Sequence, residues 1–230
     1  MANANKLKRF RVVLGKPSSF TLVELLVVVS IIGLLAGLAV PLIGRARATG
    51  NTGKAISNLR QIGVLVNTYL PENNNRLPPY EARMFAPPDT EIWNNLFRIQ
   101  AGLPYRGDPK NNRDLWMPEI FYDPMVKSGR QHLWGCFGAN SAFMEKPNGT
   151  PISQIGRLSG KVIVATAKDT SVTRFDSGWY FNATEVITGP AKIDPRHGGK
   201  ALCLFADGHV EALDILKMDT TQRRAYFEKN

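Results

Sequence analysis

Three residues near the C-terminus have the types and spacing that chemistry would need. His197, Asp207 and His209 fall around a predicted β-hairpin, and histidine and aspartate are common metal ligands and acid–base groups. Neighbouring strand positions point to opposite faces of a sheet, and turn chemistry alone explains Asp207 before Gly208. The one other histidine, His132, is distant in sequence. We therefore favour a structural role for His197, Asp207 and Gly208, and we expect no metal and no cofactor.

A carboxylate at the edge of an apolar segment is the second notable group. Glu24 directly precedes the uncharged run Leu25–Ile43, in which Ser30 has the only side-chain hydroxyl. A charged side chain costs about 3 kcal/mol at the centre of a bilayer and less near its surface, so an acid at this position usually has a function. Among associated apolar helices a lone carboxylate is unfavourable unless an opposite charge neutralises it. Glu24 is therefore a candidate for setting the register between copies.

The apolar run is long enough to enter a membrane. Its 19 residues span about 28 Å as a helix, close to the hydrocarbon thickness of a bilayer, and it has no polar face. An ordinary cleavable signal has a shorter apolar region, although Ala46 and Ala48 leave a cut after the run open. A plain membrane anchor fits the length but does not explain Glu24.

The residues around Glu24 resemble a known processing site. The stretch FTLVELL, residues 20–26, after a short basic leader is similar to the type IV prepilin and type II secretion pseudopilin motif. The resemblance implies that a membrane peptidase cuts between Ser19 and Phe20 and methylates the new amino group. It also implies that Glu24 recruits each subunit by pairing with the Phe20 amino group of a neighbour. Ser19 stands where the family usually has glycine, and Pro41 resembles a helix-bending proline of these subunits.

The charge distribution fits a leader better than a nucleic-acid-binding surface. The net charge is +10, but five bases and no acid lie in the first 19 residues, so the remainder carries +5. We therefore expect no nucleic-acid partner. Four bases also follow the apolar run, so charge alone barely favours either orientation. The bases of the leader are Lys6, Lys8, Arg9, Arg11 and Lys16, and those after the run are Arg45, Arg47, Lys54 and Arg60.

The pattern beyond Ile43 predicts a second helical segment and then a globular head. Apolar residues recur at helical spacing up to Pro71 and the following asparagines, which end the helix. Gly50 and Gly53 weaken the helix before this stripe. The stripe consists of Ile56, Leu59, Ile62, Val66 and Tyr69. We predict a leader at 1–19, a transmembrane helix at 20–44, an amphipathic helix at 45–70 and a periplasmic head at 71–230.

The head is predicted to combine long loops with a small antiparallel sheet. Residues 71–150 are rich in proline, asparagine and aromatics and indicate irregular structure with a short helix around 91–101. Strands are predicted at 161–167 and 179–184, and a hairpin near 200–214 whose Asp-Gly turn requires positive φ at both residues. A polar helix or tail follows from residue 215. The fold class is α+β and pilin-like.

Six aromatic residues in the head admit two interpretations. They could form a sugar-binding platform, but we favour core packing, since this part of the head has little other regular structure. They are Trp93, Phe97, Trp116, Phe121, Tyr122 and Trp134. Cys136 and Cys203 match no metal-ligand spacing, and either a disulfide or two separate buried thiols is possible.

A second resemblance concerns the C-terminal signature, which we define as His197, nine further residues, and Asp207-Gly208. It is similar to a signature in a prepilin-type family abundant in planctomycete-like bacteria, as are NLRQIG at 58–63 and WGCFGAN at 134–140. To our knowledge this family implies no biochemical activity for the head.

These observations together predict a non-enzymatic subunit of a type II secretion or type IV pilus system. It would be a single-pass protein of the bacterial inner membrane, with a cytoplasmic leader and a periplasmic head that enters a filament after processing. The expected partners are the prepilin peptidase, the export machinery, the membrane, and other pilin-like subunits through the N-terminal helix. One alternative is a membrane-tethered extracytoplasmic binding module whose aromatic-rich region takes a glycan. Another is a secreted hydrolase that depends on His197.

Overall fold

The longest element of the protein is a helix that begins one residue into the described chain. The computed structural model describes residues 21–83, 90–93, 96–97, 118–131, 135–145, 148–171 and 173–229. The helix α1 is Leu22–Glu72. Contacts divide the chain into two compact units, Met1–Arg45 and Ala46–Asn230.

The second unit contains the strands and a C-terminal helix. The strands are β1 (Glu81–Arg83), β2 (Thr90–Ile92), β3 (Phe137–Asn140), β4 (Val162–Asp169), β5 (Tyr180–Phe181), β6 (Ala191–Ile193), β7 (Ala201–Phe205) and β8 (Val210–Leu213). The C-terminal helix α2 is Thr220–Phe227. Asp219 begins it with a capping box, in which its side chain and that of Gln222 each accept the other residue's backbone N–H.

Most strands join one mixed sheet of six strands among the described residues. Its order is β5-β3-β4-β7-β8, with β6 paired to β4 as well, while β1 and β2 form a separate pair. The predicted α+β, pilin-like class is confirmed. The sheet is not wholly antiparallel, because β3 and β5 pair in parallel. The chain reverses direction twice between these two strands, at β4 and after it, so β5 runs the same way as β3.

The part of α1 within the second unit buries the predicted stripe. Leu59, Ile62 and Val66 are buried, while Ile56 and Tyr69 are half-buried and pack against the same core. The helix ends where the asparagine run was expected to end it. Asn74 and Asn75 adopt left-handed φ angles, and the Asn75 N–H donates to the Leu70 carbonyl at 2.8 Å, which caps the last turn.

Alternation along β7 divides the head into two cores. Leu202 and Leu204 belong to the core shared with α1, whereas Cys203 and Phe205 belong to a second core with Phe227 of α2. Successive side chains of a strand point to opposite faces, so a buried strand of five apolar residues serves both. The sheet therefore lies between α1 on one face and α2 on the other.

The prediction for residues 71–150 was partly wrong. Residues 90–92 form β2, so no helix begins at residue 91; Trp93, Leu96 and Phe97 are helical, and the other positions up to 101 lie outside the described residues. The strand β3, which lies between β5 and β4, was not predicted. Its glycine, alanine and asparagine have low strand propensity, and pairing with β4 and β5 decides its conformation.

The space around Gly138 in β3 is too small for any side chain, so this position requires glycine despite its low strand propensity. A Cβ atom at this position would lie 2.5 Å from the Ala167 Cβ and 3.0 Å from the Tyr180 carbonyl carbon. We expect Gly138→Ala to lower the free energy of unfolding by about 2 kcal/mol through overpacking. Denaturant titration of the full chain in detergent measures this. Gly160→Ala, where the added Cβ would lie no closer than 3.7 Å to neighbouring side-chain atoms and the backbone φ is not left-handed, is the comparison; an equal loss there would refute the packing argument.

Candidate functional sites around His197 and at the N-terminal end of the helix

His197 lies shortly before β7 and its ring is almost completely buried. Its Nε2 lies 2.9 Å from the Asp123 Oδ2, and its Nδ1 lies 3.0 Å from the Thr52 Oγ1 on α1. Asp123 is fully buried, and its Oδ1 accepts the Met125 N–H at 2.9 Å. The imidazole therefore connects α1 to the segment around Asp123. This contact joins residues that are 145 positions apart in sequence.

Arg196 adds a positive charge to the same cluster. Its Nη2 lies 2.9 Å from the Asp194 Oδ2 and donates to the Ala167 carbonyl at 2.7 Å. Its Nη1 lies 3.8 Å from the Asp123 Oδ2, which is an ion pair without a hydrogen bond. The guanidinium thus stands between two carboxylates. We call Thr52, Asp123, Asp194, Arg196 and His197 the His197 cluster.

The second part of the C-terminal signature forms the turn between β7 and β8. Leu204 pairs with Val210, and the Gly208 N–H donates to the Phe205 carbonyl at 2.9 Å, so the loop has three residues, 206–208. Gly208 has a φ of +91°, whereas Asp207 has no positive φ. The prediction of positive φ at both residues was wrong, because a three-residue loop places only its last residue in the left-handed region.

This turn packs directly against α1. A Cβ on Gly63 of the helix would lie 3.1 Å from the Leu204 Cδ1 and 3.5 Å from the Gly208 carbonyl oxygen, and a Cβ on Gly208 would lie 3.4 Å from the Asn67 Nδ2. The signature therefore touches the helix at two places, through His197 and through Gly208. These contacts favour its structural role, which stays a prediction.

The signature residues do not share a chemical site. Asp207 accepts from its neighbour His209, whose Nδ1 lies 2.6 Å from the Asp207 Oδ1, and both are at the surface. His197 has Asp123 and Thr52 as its partners instead. Within the described ranges, no group of three or more histidine, cysteine or acidic side chains is arranged to hold a metal ion.

Thr52, His197 and Asp123 have the composition of a nucleophile–base–acid relay, and sequence reasoning did not find Asp123 or Thr52. The Thr52 hydroxyl, however, donates to the Ala48 carbonyl at 2.9 Å. Because the donor and acceptor roles of the His197 Nδ1 depend on the ring tautomer, its contact with the hydroxyl does not establish base activation of Thr52, and the bond to Ala48 ties the hydroxyl to its own helix. The arrangement is suited to holding α1 rather than to attacking a substrate.

The first turn of α1 places the Glu24 carboxylate at the helix end. Its Oε2 accepts the Thr21 N–H at 2.9 Å and the Thr21 hydroxyl at 2.8 Å, while the Glu24 N–H donates to the Thr21 Oγ1 at 3.2 Å. This reciprocal pattern is a capping box, which satisfies donors that a helix end leaves unpaired. The spacing Thr-x-x-Glu in the sequence is the signal that predicts it.

The first part of α1 exposes its apolar side chains on all sides. Every residue from Leu22 to Ile43 is exposed, and the Ser30 hydroxyl donates to the Leu26 carbonyl at 2.6 Å, which satisfies that hydroxyl within the helix. Among the described residues, α1 is the helix long and apolar enough to cross a membrane. Exposed apolar area on this scale marks a contact with lipid or protein.

Comparison with known protein families identifies this segment. Residues 16–40 match the family model of the prokaryotic N-terminal methylation motif. The chain carries a prepilin-type methylation motif. The match covers about a tenth of the chain and does not extend into the head. No curated protein and no solved structure matches the chain significantly.

The matched segment contains Ser19 and Phe20, which were predicted for processing, and Glu24, which was predicted for assembly. Ser19 and Phe20 lie outside the described residues, and Glu24 is the motif residue whose geometry is described above. The motif together with the exposed apolar helix fits a single-pass, membrane-anchored protein. It points to a structural, pilin-like subunit rather than to an enzyme.

The aromatic residues considered as a sugar platform are mostly in the core. Trp93, Phe97, Phe121 and Tyr122 are buried, and the first three form edge-to-face pairs. Trp116 and Trp134 lie outside the described residues. A different set is half-buried and in ring contact: Tyr80 stacks on Tyr180, and Trp179 lies tilted against both. The described members of the predicted platform therefore serve packing.

The two cysteines are separate buried thiols. Cys136 lies in the α1 core and Cys203 in the second core, so the sheet separates them and no disulfide forms. Burial raises the pKa of Cys136 to about 11 and raises that of Cys203 further. We expect neither to react with a thiol reagent at neutral pH until denaturant is added, because the thiolate is the reactive form. Mass spectrometry after alkylation checks this; modification of the folded chain would contradict it.

Proposed function

We propose that the chain is a prepilin-like subunit of a type II secretion or type IV pilus system. Prepilin peptidase cuts it between Ser19 and Phe20 and methylates the Phe20 amino group. The segment 20–44 crosses the bacterial inner membrane, with the basic leader in the cytoplasm and residues 71–230 in the periplasm. After processing, subunits associate through the apolar part of α1.

The observation that carries this proposal is the methylation motif placed directly on an exposed, uncharged helix. The apolar faces of Leu22–Ile43 have no partner within the described chain, so lipid or other copies of the same helix must cover them. The motif match and the apolar helix alone would also fit a protein that is only anchored in the membrane. The addition of Glu24 at the helix end supports a role in assembly.

Glu24 is placed where a neighbour's terminal amine would be useful. Its carboxylate caps its own helix through Thr21, and a carboxylate accepts further hydrogen bonds at its other oxygen. In a filament core the methylated Phe20 amine of an adjacent subunit neutralises it. Subunits stacked with another offset leave the charge unpaired, so the pair sets the register.

Mass spectrometry of the N-terminus tests the processing step. In cells that possess prepilin peptidase, we expect a mature chain that begins at methylated Phe20. In a strain without the peptidase, the chain keeps its leader. Ser19→Gly provides a matched variant, which we expect to be cleaved at least as fast because glycine is usual there. A chain that keeps its leader despite the peptidase supports the tethered-module alternative, and a start beyond Ile43 supports a conventional secretion signal.

A further inference from the structure

A surface cleft of the head adjoins the His197 cluster and shares Asp194 and Arg196 with it. The cleft has a volume of about 520 Å³, and Met125 and Val126 form its apolar lining. Its other lining residues come from the turn after Val126, the end of β4, the loop before β5 and the segment before β7. All of them are charged: Lys127, Arg130, Lys168, Asp176, Asp194 and Arg196.

The cations of this cleft outnumber its carboxylates. Four basic and two acidic side chains line it, which gives a net charge of +2. The completely buried Asp123 also lies near the cleft, since its Oδ2 is 3.8 Å from the Arg196 Nη1. The net charge is still +1 when Asp123 is included and His197 is counted as neutral. An excess of one sign of charge around a cleft raises the local concentration of the opposite ion.

Both carboxylates that line the cleft are already bonded to cations. Asp176 accepts from the Nε and Nη2 of Arg130, the latter at 3.0 Å, and from the Lys168 Nζ at 3.3 Å. Bonding to Arg130 is the main reason that the pKa of Asp176 falls to about 2. The Asp194 Oδ2 lies 2.9 Å from the Arg196 Nη2. An anion that enters the cleft therefore meets carboxylates whose charge is compensated.

Three cations of the cleft keep hydrogen-bond donors for a ligand. Lys127 is exposed and forms no ion pair with any described residue. Lys168 uses one of its three ammonium hydrogens for Asp176, and the Nη1 group of Arg130 donates to none of the residues that the structure describes. These spare donors belong to separate side chains rather than to one arginine fork.

Arg196 is a nearly buried cation whose own donors are not all used. Its side chain is 10% exposed, and its Nε and Nη1 are buried without a hydrogen-bond partner in the described part of the chain. A buried donor without a partner is costly, and more so when the group is charged. A negative ligand in the cleft compensates the charge of Arg196 without a direct hydrogen bond to these atoms.

We propose that this cleft binds the phosphate group of a phosphomonoester. A planar carboxylate is bound best by the parallel N–H groups of an arginine fork, but Asp176 occupies the fork of Arg130 and Asp194 is bonded to Arg196. Separate lysine donors suit a tetrahedral phosphate, whose oxygens point in different directions. A phosphomonoester carries a charge of about −1.5 to −2 at neutral pH, which compensates the excess charge of the cleft. The cleft is also large enough for an attached group of the size of a sugar.

NMR titration of the full chain, in a non-ionic detergent without phosphate groups, tests the proposal. Glucose 6-phosphate is the probe, glucuronate is the matched sugar carboxylate, and the backbone amide signal of Arg130 reports occupancy of the cleft. We expect saturable binding of glucose 6-phosphate, about tenfold tighter than that of glucuronate, because the phosphate accepts at least one more charge-assisted hydrogen bond. Equal or tighter binding of glucuronate, or no saturable shift with glucose 6-phosphate, overturns the proposal.

Substitution of Lys127 locates the site. Lys127→Gln should weaken the binding of glucose 6-phosphate about tenfold, as expected for the loss of one hydrogen bond to a charged group, whereas Lys127→Arg keeps the charge and should retain binding. Lys217→Gln is the matched control, because it removes the same charge from an exposed lysine outside the cleft, and it should change binding less than about twofold. Unchanged binding in Lys127→Gln, or equal weakening in Lys127→Gln and Lys217→Gln, overturns the proposal.

Nanodiscs distinguish a soluble phosphomonoester from a lipid headgroup. The full chain is placed in phosphatidylcholine discs that also contain either phosphatidic acid, whose headgroup is a phosphomonoester, or phosphatidylglycerol, an anionic lipid that is not one. Weaker binding of glucose 6-phosphate in the phosphatidic acid discs alone indicates that the lipid competes for the cleft. Equal binding in both discs indicates a soluble ligand. Either result supports the phosphate site and identifies the source of the phosphate.

Discussion

Replacing Glu24 with glutamine should abolish incorporation into a filament while leaving cleavage and methylation intact. Glutamine keeps the capping box, because its side-chain oxygen still accepts from Thr21. It removes the negative charge that would pair with the Phe20 amine of a neighbour. The measurement is the fraction of processed subunit recovered in sheared filaments or in a cross-linked assembly, with the mature N-terminus checked by mass spectrometry.

Two further variants separate the charge of Glu24 from its contribution to helix capping. Thr21→Ala removes the cap and keeps the charge, so it should assemble far better than Glu24→Gln. Glu24→Ala removes both and should fail as completely as Glu24→Gln. If the Glu24→Gln variant assembles normally and the Thr21→Ala variant does not, the role of Glu24 is to cap the helix, and its proposed role in assembly is wrong. If every variant assembles normally, the apolar helix is only an anchor.

Replacing His197 with alanine should produce the largest loss of stability among residues of the C-terminal signature. The substitution leaves the Asp123 carboxylate fully buried, with the Arg196 Nη1 at 3.8 Å as its remaining charged neighbour. Removal of the hydrogen-bond partner of a buried charged group typically costs about 3 kcal/mol. Urea titration of the full chain in detergent, followed by tryptophan fluorescence, measures this loss.

Asp207→Ala supplies the contrast within the same signature. Asp207 is at the surface and its side chain bonds only to its neighbour His209 among the described contacts, so we expect a change of about 0.5 kcal/mol. Gly208→Ala should cost more, about 1–2 kcal/mol, since its φ of +91° is strained for any residue with a Cβ. Equal losses at positions 197 and 207 would contradict the assignment of the buried contact to His197.

Local patterns predicted the elements whose side chains repeat clearly. The stripe from Ile56 to Tyr69 lies on the buried side of α1, and β4 and β7 lie where runs of β-branched and apolar residues were found. The strand β3 was missed because Gly138 and Ala139 carry no strand preference of their own. The narrow space between Ala167 and Tyr180 requires glycine at position 138, and that space exists only after the sheet has formed.

The candidate sites divide in the same way. The sequence by itself determined the N-terminal part: a basic leader, a Thr-x-x-Glu start and an uncharged helix act locally, so their order along the chain is sufficient to identify the methylation motif. It also marked His197 and Asp207-Gly208 as residues that belong together. Only the tertiary structure decided that His197 bonds to Thr52 and Asp123 rather than to Asp207. These partners lie 145 and 74 positions away, and packing of the sheet against α1 brings them within hydrogen-bond distance.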